Sequence, residues 1–260
     1  MSSKEMVHHS AAVCGRQTEY VVLGEGEPVL FIHGAGIIGG WEFARHWAND
    51  YTVICPYQMG WGETESPSLD ATVDDYVRQN IALMHQLGYE RFHLIGFSMG
   101  GWIASTLAAK HPDLVKKLVL IAPAGYWHPE HPTADFFNIP PSEVLEYLAA
   151  DPQVLLRYLP PPSDPLMQQV QQYRSDSAFA QLAWDLLGAG THMDLVAQVR
   201  APSLLVWGQA DRVIPFSQAA VWQQTLDDVR LYAIADVGHY PFLEHPETSN
   251  VIHDFLGRKK

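Results

Sequence analysis

The chain has 260 residues and a mass of 29.1 kDa, with 47% apolar and 17% charged residues, which supports a large buried core and excludes disordered and low-complexity classes. Sixteen Lys and Arg against 29 Asp and Glu leave a net charge of −13, a balance that repels phosphate backbones and anionic lipid and argues against nucleic-acid or membrane partners. No apolar run reaches the ~18 residues that span a bilayer, and Met1–His9 has no basic end leading into an apolar stretch. A cytoplasmic protein is expected, its Cys14 and Cys55 free, buried thiols.

The first residues, including His8 and His9, read as a mobile tail. Strands follow: Glu19–Leu23 ending in Gly24-Glu25-Gly26, Pro28–Ile32 stopped by His33-Gly34, and Tyr51–Cys55. Short runs that are apolar on both faces suit central strands of a helix-covered parallel sheet. From Thr72 to Leu87, Val73, Tyr76, Val77, Ile81, Met84 and Leu87 recur at helical steps, with Asp74 and Asp75 in the first turn. Phe92–Gly96 is a strand, Met99–Lys110 a helix stopped by His111-Pro112, and Leu118–Ala122 a strand.

The rhythm then breaks. Eight of the 18 prolines fall between Pro132 and Pro165, punctuating helical pieces at Ser142–Ala150 and Leu166–Tyr173. A stretch this long without strand signal reads as a separate helical layer. Residues 125–191 are therefore expected to form a cap on a core made of 1–124 and 192–260. Alternation resumes with a strand at Ser203–Gly208, a helix at Ser217–Leu226, a strand at Val229–Ile234 and a helix from Glu244 to Leu256. The fold class is α/β, with a mostly parallel sheet.

The sharpest motif is Gly96-Phe97-Ser98-Met99-Gly100, set between an apolar strand and an apolar helix. A serine on such a turn must take a strained backbone conformation that presents its hydroxyl, and glycines on either side avoid collisions. The hydroxyl needs a base and a group to orient the base. His239, in the loop after the last strand, is the candidate base; His245 is the weaker one. Asp211, in the loop after Ser203–Gly208, is the candidate acid, and Asp236 more simply shapes the loop before His239. Chain order Ser98, Asp211, His239 puts all three at strand C-termini, where open α/β sheets hold ligands. The amides of Ala35 and Met99 are the candidate oxyanion donors, with His33 a scaffold hydrogen-bonder. Neither a metal nor a cofactor is required: His128 and His131 lack carboxylate companions at ligand spacing, and Gly34-Ala35-Gly36 lacks the rest of a dinucleotide fingerprint.

On His33-Gly34-Ala35-Gly36, Gly96–Gly100, Trp207–Asp211 and Gly238-His239, the sequence resembles the α/β-hydrolase superfamily over nearly its whole length. That resemblance implies a twisted eight-stranded sheet with a helical cap after the sixth strand. Ser98–Trp102 and Tyr57–Thr64 are similar to a branch of carboxylesterases, cofactor-free haloperoxidase-like proteins and ring-cleavage-product C–C hydrolases. The C–C hydrolases commonly carry Asn before the serine and Trp after the histidine, where Phe97 and Tyr240 stand here. A serine nucleophile departs from the haloalkane dehalogenases and epoxide hydrolases. The expected activity is hydrolysis of small carboxylic esters with apolar acyl or aryl groups. C–C bond hydrolysis and a hydrolase-like small-molecule receptor are the alternatives. Phe97, Trp127, Phe137, Trp184 and Tyr240 are the expected pocket residues, and the cap's cations are Arg157 and Arg174.

Overall fold

A computed structural model describes residues 6–159, 164–184 and 192–257. Eight strands, β1 (Val7–Val13), β2 (Arg16–Leu23), β3 (Glu27–Ile32), β4 (Tyr51–Pro56), β5 (Phe92–Phe97), β6 (Val115–Ile121), β7 (Ser203–Gly208) and β8 (Val229–Ile234), make one sheet in the order β1-β2-β4-β3-β5-β6-β7-β8. The β1–β2 and β2–β4 pairs are antiparallel and every other pair is parallel. Strands β4, β5 and β7 are buried at every position, because helices cover both faces of the sheet.

Successive residues of β3 serve two cores. Leu30 and Ile32 pack on the side of α1 (Val73–Gln86) and α2 (Met99–Lys110). Val29 and Phe31 pack with Trp41, Trp47 and the C-terminal helices. The start of α1 is set by Thr72, whose N–H donates to Asp75 Oδ2 at 2.9 Å, leaving two acids on the positive helix end.

Between β6 and α6 (His192–Val196) the described residues contain no strand; they form α3 (Val144–Leu148), α4 (Pro152–Leu156) and α5 (Pro165–Ala183). Helix α5 runs ten residues past the expected end at Tyr173. The apolar stripe gives out there because what α5 buries beyond it is mostly small: Ser175 and Ala178, together with Leu182. A Cβ on Gly60 would stand 2.5 Å from the Ala178 methyl, so the helix lies directly on the 57–64 loop. After α7 (Ala219–Thr225) and β8, the terminal helix divides into α8 (Pro241–Glu244) and α9 (Glu247–Leu256). Pro246 holds His245 extended (φ −132°, ψ 93°) and breaks the expected single helix.

Two further expectations are corrected. The segment read as a tail carries β1, with His8 and His9 exposed on an edge strand. Only Val13 of the strand is buried, and His9 interrupts the face that carries Val7, Ala11 and Val13, so little alternation marks it. Strands β1 and β2 are joined by the two-residue turn Cys14-Gly15, with φ 52° and 76°, the left-handed pair that a tight hairpin demands. Cys14 is therefore exposed rather than buried, whereas Cys55 is buried in β4, where burial raises its thiol well above the usual range. Among the described residues no helix is long and apolar enough to cross a membrane.

Candidate active site

The strand order reverses at β3, whose chain neighbour β4 lies on one side and β5 on the other. Loops leaving the C-terminal ends of β3 and β5 thus diverge and open a crevice. Ser98 sits there, at φ 54° and ψ −119°, immediately before α2. Its N–H donates to Ile121 O at 2.9 Å, and its carbonyl accepts from Gly101 and Ala124 at 2.8 and 2.9 Å. The strained conformation is thus held by β6 and the following turn. A Cβ on Gly100 would meet Ile32 O at 2.1 Å, and one on Gly96 would meet Gly100 O at 2.4 Å. The flanking glycines are required by close backbone approach.

The loops after β7 and β8 bring the acid and the imidazole together. His239 Nδ1 donates to Asp211 Oδ2 at 2.8 Å, with both side chains almost fully buried. Asp211 Oδ1 accepts from the N–H groups of Val213 and Ile214 at 2.8 and 2.9 Å, so the carboxylate is oriented by its own loop. With Nδ1 committed, Nε2 is the nitrogen left for a substrate-side proton. The Phe97 ring, next to Ser98, lies 4.9 Å from the His239 ring. Among the described residues the Ser98 hydroxyl makes no hydrogen bond to Nε2; such contacts tighten when substrate binds. Asp236 is exposed and turns the chain at φ 56°, while His245 lies 3.9 Å from Glu247, outside this arrangement.

Sequence reasoning missed Glu244. Its carboxylate accepts from Gly238 N (2.9 Å) and Tyr240 N (3.2 Å), on either side of the histidine, and from Ala150 N (2.8 Å). His239 N–H itself donates to Leu148 O at 3.0 Å. The imidazole loop is thereby tied to the end of α3, and charged acceptors make such bonds among the stronger ones. An acid shortly after the histidine was the available signal, but nothing local says that three backbone groups converge on it.

On the other side, His33 Nε2 accepts from Gln58 N–H at 2.9 Å, which leaves the ring proton on Nδ1, 2.6 Å from Gly34 O. That carbonyl belongs to the peptide carrying the Ala35 N–H, and in a trans peptide the two point opposite ways. Burial lowers the His33 pKa to about 4, and burial does the same to His192. His93 is also lowered, chiefly by burial. These imidazoles stay neutral in the folded protein but take up protons near pH 6.5 when unfolded. Their stabilising effect is complete above that pH and lost as pH falls towards the folded values. Between pH 7.5 and 4.5, urea unfolding should show a loss on the order of 5 kcal/mol from His33 and His192 together. A flat profile across that interval would show that these rings are not buried as described.

A model of the alpha/beta hydrolase family matches residues 29–249. The chain belongs to the α/β-hydrolase family. This α/β hydrolase is 28% identical, over 94% of its length and 89% of the relative's, to 2-hydroxy-6-oxo-6-(2'-aminophenyl)hexa-2,4-dienoic acid hydrolase of Metapseudomonas resinovorans. Its fold is shared with the meta-cleavage product hydrolase of Pseudomonas fluorescens IP01 (TM-score 0.79, 21% identity, 95% and 97% of the two chains). It is shared equally with a thermophilic esterase of Thermogutta terrifontis (TM-score 0.78, 22% identity, 96% and 98%).

Within the hydrolase the expected pocket residues part company. Phe97 and Tyr240 are buried and line a narrow pocket with Trp41, Ile38 and Phe242. Trp127 is half-buried. Phe137 and Trp184 are 50% and 72% exposed and cluster with Phe179; no ring contact joins them to the buried pair. Phe137 and Trp184 face outward while Phe136, Tyr147 and Phe179 are partly buried against the core, a difference that residue type alone does not disclose. The turn at 128–131 also corrects an expectation, since it gathers Glu130 with His128 and His131 within 4.8 Å. There the Glu130 N–H donates to His128 Nδ1 at 3.1 Å, occupying one of the ring nitrogens.

Proposed function

We propose that the chain is a serine hydrolase working through an acyl-enzyme, with Ser98 as nucleophile, His239 as base and Asp211 as its orienting acid. The observation that carries this reading is the buried His239–Asp211 pair beside a serine held in a strained strand-to-helix turn. His239 Nε2 takes the Ser98 proton as Oγ adds to a carbonyl carbon, and the amides of Ala35 and Met99 receive the oxyanion. Collapse expels the leaving group, which takes the proton from His239. A water then gives its proton to the same imidazole, adds to the acyl-enzyme and releases the acid.

The substrate reading supported first by relatives is the carbon–carbon bond beside a ketone in a dienoate ring-cleavage product, since the M. resinovorans relative bears that substrate in its name. The leaving group would then be carbon, and it leaves as a conjugated dienolate only after the 2-hydroxydiene has moved its enol proton to the carbon next to the ketone; the dienolate then takes the proton from His239. Ester hydrolysis, placed first by the sequence, becomes the second reading, and one observation favours it. A dienoate carries a carboxylate, yet of the inserted segment's two cations Arg174 is committed to the carbonyls of Gly62 and Thr64 at 3.2 and 2.8 Å, and Arg157 is exposed. The remaining surface suits neutral groups.

Comparing kcat/KM for 2-hydroxy-6-oxo-6-(2'-aminophenyl)hexa-2,4-dienoate and a short p-nitrophenyl ester separates the two. The first reading expects the dienoate to lead by at least ~10-fold, and the reverse order selects the ester. Labelling by a fluorophosphonate with turnover of neither would point to a binding protein.

A further inference from the structure

The loop Gly34-Ala35-Gly36 presents consecutive carbonyls, and each meets the proton of a ring. Gly34 O faces His33 Nδ1 at 2.6 Å. Ala35 O accepts from Trp61 Nε1 at 2.8 Å, and Gly36 O accepts from the Tyr240 hydroxyl at 3.0 Å. The rings come from different places: His33 from the end of β3, Trp61 from the loop after β4, and Tyr240 from the residue that follows His239. An alanine between two glycines meets little steric resistance to rotation of its peptide planes. Each rotation would exchange a carbonyl for an N–H on the side facing the crevice, because the bonds are trans. Something must therefore decide which way these amides point.

Taking Ser98 as the nucleophile, as proposed above, we infer that Trp61 and Tyr240 are positioning residues: by holding the carbonyls of Ala35 and Gly36, the two peptides that follow the Ala35 N–H, they fix the loop on its C-terminal side as His33 fixes the Gly34–Ala35 peptide, and so keep the Ala35 N–H aimed at the oxyanion. Tyr240 does so from the loop that carries the base, linking the orientation of donors and imidazole. Both rings are buried, where a competing water is scarce and an unmade bond is costly. Burial also raises the Tyr240 phenol well above its usual range, so it remains a donor wherever the enzyme works. An indole N–H is a donor at every pH. This gives Tyr240 a task other than lining the pocket, and Trp61 a task that its place in a glycine-rich turn does not advertise.

Tyr240→Phe and Trp61→Phe remove one donor each and keep a ring in place. Purified wild type and variants are compared in kcat and KM on p-nitrophenyl acetate, in affinity for phenylboronic acid, which forms a tetrahedral adduct at an active serine, and in fluorophosphonate labelling. Each variant should lose roughly 10- to 100-fold in kcat, less than the loss of a whole oxyanion donor and in line with a misaimed one. KM should stay within about threefold, and boronate affinity should fall in parallel with kcat/KM. A ring needed only for packing would reduce the fraction of labelled sites and leave boronate affinity per labelled site unchanged. That result, or wild-type kcat in both variants, overturns the assignment. If the wild type itself neither labels nor binds boronate, the nucleophile is wrong and the clamp falls with it, an outcome recognisable before either variant is made.

Discussion

Ser98→Ala is expected to abolish turnover of whichever substrate the wild type accepts, by at least ~10⁴-fold in kcat, while equilibrium binding of that substrate is retained. On the reading proposed above, the elbow presents one oxygen. Its backbone is held at a positive φ by hydrogen bonds to Ile121 and Ala124 that an alanine keeps, so the variant should fold and the loss should be chemical. Without Oγ there is no acyl-enzyme, and what remains is the oxyanion donors acting on water, an effect worth ~10³–10⁴ over the uncatalysed reaction in comparable triads. The measurement is single-turnover kinetics with binding followed separately. A variant within tenfold of wild type would reject Ser98 and, with it, the acyl-enzyme.

The second large effect is expected at Asp211. In Asp211→Asn the side chain cannot satisfy both sets of partners as the carboxylate does. Oδ1 receives the N–H groups of Val213 and Ile214, so the amide oxygen must stay there or two buried donors lose their acceptor. The amide nitrogen then faces His239 Nδ1, where Oδ2 now accepts. A donor at that point forces the imidazole into the tautomer protonated on Nε2, which presents Ser98 with a proton instead of a lone pair. The loss in kcat should approach ~10⁴-fold with the geometry intact. Activity should recover partly at high pH, where hydroxide substitutes for the base. Retention of more than about a tenth of wild-type kcat at neutral pH would mean that Asp211 orients nothing that matters to the reaction.

Both effects concern residues legible in the letters. The parallel core was readable because β3, β5 and β7 are short apolar runs, with His33 after β3, Gly96 near the end of β5 and Gly208 at the end of β7. Ser98 was readable because a serine between glycines, at a strand-to-helix junction, is a local pattern with a local cause. Asp211 and His239 followed from the rule that loops after successive strands share one edge of the sheet, and the structure brings them to 2.8 Å. Substrate preference was less legible. The sequence favoured esters, while relatedness favours a dienoate hydrolase, because pocket chemistry is written in side chains whose exposure depends on packing.

The amino-acid sequence by itself determined the parallel core of the sheet, the elbow and the chain order of Ser98, Asp211 and His239, since each arises from interactions among neighbours or from strand succession. Tertiary structure alone decided that Val7–Val13 is an edge strand, that Phe137 and Trp184 face solvent, and that Glu244, Trp61 and Tyr240 hold backbone groups of distant loops. The reason is common to all of these. An edge strand facing water needs no apolar alternation, and a side chain that binds a remote carbonyl or amide is selected by a partner whose identity as a residue is irrelevant. Such contacts leave no periodicity to read.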